Sequence, residues 1–377
     1  VLHAAVTATA PRHRRSFHVR VAIHPDRDGP PMGDPKCDQS WERWKIALES
    51  AGCEVRLVDV RRPDILDQVR GCDGFMWRWA WFGGMRQIAR RLFPVLEREL
   101  GMACYPNLDT CWHYDDKVAQ TLLFQALEIP KPDTWIWFDH RSATDWLKTA
   151  RFPMVFKLAG GAASRNVALV HNQRQAMDYC NTLFRRGAWG LSKYGKEKLG
   201  LIRRVANAGW LILTGRIHDS WYAGEELHRH YAYFQEFLPE NAFDTRVTII
   251  GSRAFAYRRF NRDNDFRASG SGNFDTNPTA IDEAAVRLAF RTAAQMRAQS
   301  CATDILYKAE QPVIGEVSYT YVSWMVHACP GHWVLRGDPD SGQLTWIDGS
   351  LWPEDAHVEG FLRQLQTRAR SDCTSRP

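Results

Sequence analysis

The chain has 377 residues, 45% of them hydrophobic, which is too long for one ordinary core and suits two or three packed domains. Its net charge of +6, from 49 basic against 43 acidic residues, is compatible with an anionic substrate but too thinly spread to argue for nucleic acid. Nine cysteines, an odd number with no Cys-x-x-Cys pair, speak against a disulfide framework or zinc cage and favour a reducing cytoplasm, and no apolar run approaches the roughly 20 residues a membrane span needs.

Residues 1–16 read as a disordered basic tail, lacking the apolar stretch of a signal peptide. Residues 17–23 alternate like a strand. Residues 40–51 carry helical spacing (Trp41, Trp44, Ile46, Leu48) and stop at Gly52. Strand patterns at 54–60 and 74–80 and helical ones at 65–70 and 85–100 complete a parallel α/β unit over 17–112. Trp77, Trp79 and Trp81 share a face of the third strand. A domain core or interface suits aromatics in a central strand better than a sugar platform does.

A helix over 115–127 runs into Ile129-Pro-Lys-Pro132, which stops it. Strands at 152–158 and 167–170 flank Ala159-Gly-Gly-Ala-Ala-Ser-Arg-Asn166. Residues 171–230 read as an insertion or lid. Strands follow at 231–238, 244–250 and 253–260, then a loop over 263–280 and an Ala-rich helix over 281–299. A terminal hairpin, a helix near 354–369 and a tail over 371–377 end the chain. The units are then 17–112, a central and lid unit 113–232, and a C-terminal unit 233–370. No internal repeat is visible. His113, His228 and His230 show no metal-ligand spacing and read as structural or lid residues.

Asp304 and Glu316 carry the sharpest signal. A hairpin turning near Glu310 places them opposite each other, and directly opposed residues have Cβ atoms about 4.5–5.5 Å apart. Carboxylates that close repel unless a cation lies between them or one is protonated, and a hard cation sharing a nucleotide's phosphates fits. The plainer alternative is an exposed hairpin with two unpaired acids, which the apolar flanks (Ile305, Leu306, Val313, Ile314) disfavour. Lys157, ending a strand beside Gly160-Gly161, faces a loop whose backbone N–H groups can close over an anion. Standing alone, that loop is an ordinary Gly-rich hairpin. Residues 233–238 could offer an adenine edge and Asp244 a ribose acceptor, although read alone a plain half-buried β-meander is the better reading. Arg246 shares a face with Arg258 or Arg259, which the pattern does not separate. Two or three guanidiniums on one face suit a phosphate or carboxylate, and a solvated basic face is the bland alternative.

In order along the chain, Asp115-Asp-Lys117, Lys157 with its Gly loop, Gln235-Glu-Phe-Leu238, Asp244-x-Arg246, Asp265-Phe-Arg267-Ala-Ser269 and Asp304…Glu316 resemble the ATP-grasp superfamily. The likeness covers residues 105–325 and is greatest to the branch of the ribosomal-protein glutamate ligase and glutathione synthetase. It implies an α+β ATP-grasp fold preceded by a Rossmann-like parallel α/β domain. It also implies ATP and Mg2+ as cofactors, with Mn2+ able to substitute. By this resemblance Lys117 and Lys157 would touch the phosphates, and Gly160, Gly161 and Ser164 would close over them. Glu236, Phe237 and Leu238 would hold the adenine and Asp244 the ribose. Arg267 and Ser269 would approach the γ-phosphate and acceptor, and Asp304, Glu316 and Ser318 the metal. Arg246, Arg258 and Arg267 are the candidate catalytic arginines. One departure stands out: the family ends this hairpin with Glu-x-Asn and then Pro-Gly, where this chain has Glu316-Val-Ser318-Tyr319-Thr320.

The implied activity is an ATP-dependent carboxylate–amine ligase forming an acyl phosphate, acting on small carboxylate and amine substrates such as a sugar acid, amino acid or peptide. A phosphotransferase on the same fold and a nucleotide-binding module with a degenerate site are the alternatives. No nucleic-acid or membrane partner is expected, and oligomeric state is silent in the sequence, leaving a homo-oligomer open.

Overall fold

A computed structural model describes residues 19–26, 39–80, 84–161, 166–188 and 227–374. Strands β1 (Arg20–Ile23), β2 (Glu54–Leu57), β3 (Gly74–Met76) and β4 (Ala103–Tyr105) form a parallel sheet in the order β2-β1-β3-β4. Parallel neighbours need long crossovers. Helices Ser40–Ser50, Ile65–Gln68 and Met85–Pro94 supply them. Asp26 starts the first by accepting from the N–H groups of Ser40 (3.2 Å) and Trp41 (3.0 Å). Trp77 and Trp79 follow β3 fully buried beside Phe75 and Phe93, so they are core residues; Trp81 lies outside the described residues.

The opposite face of this sheet is covered from far along the chain. Helix Pro353–Thr374 lays Val358, Phe361 and Leu365 against Val21, Ile23, Trp44 and Met76. Phe361 packs so closely that a Cβ on Gly74 would stand 2.5 Å from its ring, which explains the glycine.

The second sheet is antiparallel: β5 (Thr134–Trp137), β6 (Met154–Lys157), β7 (Val167–Val170) and β8 (Ala232–Glu236), in the order β5-β8-β6-β7. Helices His140–Leu147 and Gln173–Arg185, capped by Asp139 and Asn172, cover one face. Residues 173–185, within the expected insertion, form a helix on this sheet. Ala176, Cys180 and Leu183 recur at helical spacing and are fully buried on the sheet. Residues 189–226 of the expected lid lie outside the described residues.

The third sheet holds β9 (Phe243–Ile250), β10 (Arg253–Phe260), β11 (Phe274–Asp275), β12 (Ser300–Lys308), β13 (Gln311–Ser318), β14 (Gly331–Arg336) and β15 (Gln343–Asp348). Its order is β13-β12-β9-β10-β14-β15, with β11 on β10. Helix Glu283–Gln295 packs Val286, Ala289 and Phe290 onto one face through Val247, Ile249 and Ile305. The β14–β15 hairpin was not expected, nor were β4, β5 and the helix 140–147. No helix among the described residues is long and apolar enough to cross a membrane.

Candidate functional site

Alternation along β6 and β8 sends Met154, Phe156 and Phe234 into the helix-covered core and leaves Lys157, Tyr233 and Gln235 for the other face. That face meets helix Lys117–Ala126 and strand β13 across a cleft lined by Lys117, Gln120, Thr121, Tyr233, Gln235 and Gly315. The buried stripe of this helix, Lys117, Gln120, Thr121 and Phe124, has core spacing but three polar members. Each of the three has a partner: Lys117 Nζ donates to the Gly161 carbonyl (3.1 Å), Gln120 pairs with the Val317 backbone, and Thr121 Oγ1 meets Tyr233 Oη (3.0 Å).

Asp304 and Glu316 are direct partners across β12 and β13. The turn is Ala309-Glu310, both with positive φ (48° and 65°), closing on Lys308 and Gln311. From that turn an unbroken ladder would set Asp304 opposite Gly315. A bulge after the Ile305–Ile314 pair leaves Gly315 over and restores Glu316 to the position. A Cβ at residue 315 would stand 3.2 Å from the Asp304 carbonyl. Glu316 Oε1 lies 3.4 Å from Lys117 Nζ. Ser318 Oγ donates to the Thr320 carbonyl (2.7 Å).

The ladder of β9 and β10 separates the two arginines left open by the sequence. Arg259 pairs with Asp244 and Tyr257 with Arg246, while Arg258 pairs with Thr245. Arg258 therefore lies on the opposite face, its guanidinium 4.4 Å from the Phe243 ring centre, and does not join Arg246. Arg259 takes that place. It forks onto Asp244 (2.7 and 2.6 Å) and reaches Asp304 (2.7 Å), while Arg246 forks onto Asp304 (2.7 and 2.9 Å). Burial pushes the Asp304 carboxyl up, but Arg246 and Arg259 outweigh it and hold it well below the usual carboxylate range. Burial dominates at Asp244 and raises its pKa against the pull of Arg259.

The Gly-Gly loop is tied to the start of the polar helix. Gly161 N–H donates to Asp115 Oδ1 (2.7 Å), and Lys117 N–H donates to the Ala159 carbonyl (2.8 Å). Ala159 N–H donates to Tyr231 Oη (2.8 Å), and Asn166 Nδ2 to the Gly160 carbonyl (2.7 Å). Gly161 has φ +121°, and a Cβ there would meet Asn166 Nδ2 at 2.6 Å. Burial lowers the Lys157 pKa to about 8, with nearby Glu316 opposing the shift and Lys117 adding to it. Ser164 lies outside the described residues.

The other expected residues are placed as follows. Glu236 ends β8 and binds Lys308 Nζ (2.7 Å); Phe237 packs edge-on against Phe266; the Leu238 carbonyl accepts from Asn241 Nδ2 (3.4 Å). Arg267 forks onto Asp265 and reaches the Val167 carbonyl (3.4 Å), joining the third sheet's loop to β7. The Ser269 carbonyl accepts from Arg262. His113 is buried, and burial lowers its pKa to about 4. Sequence reasoning missed Gln120 and Thr121, for which a polar stripe at core spacing on helix 117–126 was the available signal, and left Arg259 unseparated from Arg258.

Among the described residues no three or more His, Cys, Asp or Glu side chains gather as a metal cage. The facing pair puts hard carboxylate oxygens on one face, a donor type that suits Mg2+ better than a soft metal; in this structure both Asp304 oxygens accept from Arg246 and Arg259, so the pair would hold Mg2+ only once those guanidiniums turn to another anion such as phosphate.

No protein-family model and no curated protein matches the chain. Solved structures do. D-cycloserine synthetase DcsG is similar at a TM-score of 0.53 and 12% identity, over 92% of this chain and 99% of that one. The ATP-grasp ligase PsnB, solved with minimal precursor, Mg and ADP, is similar at 0.51 and 14%, over 92% and 98%. D-alanine–D-alanine ligase from Bacillus anthracis is similar at 0.50 and 12%, over 94% and 99%. With three sheets in this order and a cleft between the second and third, the chain has the ATP-grasp fold.

Proposed function

We propose that the chain is an ATP-dependent carboxylate–amine ligase that works through an acyl phosphate. The observation that carries the reading is the Asp304–Glu316 pair, with Lys117 3.4 Å from Glu316 and with both acids near Lys157. Two cations and two acids gathered beside one another suit a triphosphate held with a divalent ion.

In this reading Asp304 and Glu316, with Ser318 beside them, hold Mg2+ or Mn2+, which when bound neutralises charge on the phosphates. Lys117 and Lys157 bind the phosphates, and the loop at Gly160-Gly161 covers them. Glu236 to Leu238 border the adenine. Asp244 is committed to Arg259 in this structure, so its service to the ribose rests on the resemblance alone. A substrate carboxylate oxygen attacks the γ-phosphorus and ADP leaves. An amine nitrogen then attacks the acyl carbon and phosphate leaves. Arg246, Arg259 and Arg267 stabilise charge that develops on the phosphoryl oxygens and at the tetrahedral carbon. Loop closure excludes water, which would otherwise hydrolyse the acyl phosphate. The substrates are a small anionic acid and an amine.

The test is trapping with hydroxylamine. Protein, ATP and Mg2+ are mixed with a panel of amino acids, sugar acids and short peptides, and hydroxamate and phosphate are measured. At least one acid should yield both. ADP formed with a stable phosphorylated acceptor and no hydroxamate would replace the ligase reading with a kinase. ATP binding with no turnover across the panel would leave a nucleotide-binding module.

A further inference from the structure

Strand β13 is the edge of the third sheet, so alternate residues turn their N–H and C=O groups away from β12. At Val317, next to Glu316, those outward groups are taken by a side chain. Gln120 Nε2 donates to the Val317 carbonyl (2.6 Å), and Val317 N–H donates to Gln120 Oε1 (3.3 Å). The amide acts as one more rung of the ladder. Its second N–H points to the His113 carbonyl (3.5 Å), so both hydrogens face carbonyls and the amide's orientation is determined. Gln120 is 4% exposed and Val317 1%. Neither side of this clamp can turn to water when the other is removed.

The clamp joins two parts of the site. Gln120 lies one helical turn after Lys117, whose ammonium is 3.4 Å from Glu316 Oε1. The same helix face thus touches the Glu316 carboxylate through Lys117 and holds the backbone just beyond it through Gln120. The bulge at Gly315 lies just before Glu316. A bulge at an edge leaves the strand poorly held by its own ladder, and Gln120 supplies the missing restraint.

We propose that Gln120 is a positioning residue that sets Glu316 for the divalent ion, an inference that rests on the nucleotide–metal reading of the cleft. The test is calorimetric titration of ADP into the full chain with and without Mg2+, for wild type, Gln120→Met, Glu316→Gln and the double variant. Partners behind metal ligands typically change metal affinity by about 10–100-fold. Gln120→Met should therefore lose about 10-fold or more of the gain in ADP affinity that Mg2+ brings, measured against the same variant without Mg2+. In the Glu316→Gln background it should add nothing, because the two act as one unit. Gln120→Glu, which keeps the acceptor for Val317 N–H but not the donor, serves if the methionine variant fails to fold, and should lose Mg2+ dependence in the same sense. The proposal is overturned if the Gln120 variants keep wild-type Mg2+ dependence, if they weaken ADP equally without Mg2+, or if their effect adds in full to Glu316→Gln. A wild-type protein that binds ADP identically with and without Mg2+ would overturn the metal reading itself, and this inference with it.

Discussion

Arg259 and Arg258 are adjacent in sequence and opposite in consequence, so replacing each by methionine tests the β9–β10 register. Arg259 is 8% exposed and makes contacts of 2.6–2.7 Å with two carboxylates, Asp244 and Asp304. Removing one partner of a buried ion pair costs about 3–5 kcal/mol, because the other charge is left unpaired in a poor solvent. Arg246 still holds Asp304, so the stranded group is mainly Asp244. Arg258 sits over the Phe243 ring on the far face, an interaction worth about 0.5–1 kcal/mol. At about 2–4 °C per kcal/mol, Arg259→Met should lower the melting temperature by on the order of 10 °C, and Arg258→Met by a few degrees. Thermal unfolding followed by circular dichroism at neutral pH measures both. Equal shifts, or a larger one for Arg258→Met, would refute the register and with it the assignment of Arg259 to the site.

Lys157 titrates near pH 8 in the free protein, and a bound phosphate favours its charged form. ADP affinity should hold below that pH and fall above it, by up to about tenfold per unit, and Lys157→Met should flatten the profile measured by calorimetry. Asp304→Asn combined with Glu316→Gln should abolish ATP-dependent phosphate release while leaving Mg2+-free ADP binding in place; retained turnover would remove the pair from the chemistry. Burial raises the Asp26 pKa to about 7, with Arg78 and the N–H groups of Ser40 and Trp41 opposing the shift. The folded state then holds a proton that the unfolded state has released between about pH 4 and 7. Stability should decline across that window by up to about 1.4 kcal/mol per pH unit and level off above it, and Asp26→Asn should remove the slope in urea titrations.

The acid pair was legible because two irregularities cancel. A hairpin centred on Glu310 pairs residues 304 and 316. The real turn lies half a residue earlier, and the bulge at Gly315 returns the register. Neither feature has a strong local signature, since Ala309-Glu310 is not typical turn chemistry. Arg258 and Arg259 could not be told apart because a one-residue slip flips every side chain to the other face. Trp135 and Trp137 do alternate, but the strand they mark has only four residues and no fully buried one, so its pattern is too short to read. The partner of Gln120 is a backbone 197 residues away, which no local pattern reveals.

Helix Pro353–Thr374 closes a sheet whose strands lie within residues 20–105. This sheet thus lacks one wall of its surroundings until residues near 365 have left the ribosome. During that interval Val21, Ile23, Trp44 and Met76 are uncovered, and a growing chain must keep them from sticking to other proteins. A fragment ending near residue 350 would inherit the same bare surface permanently.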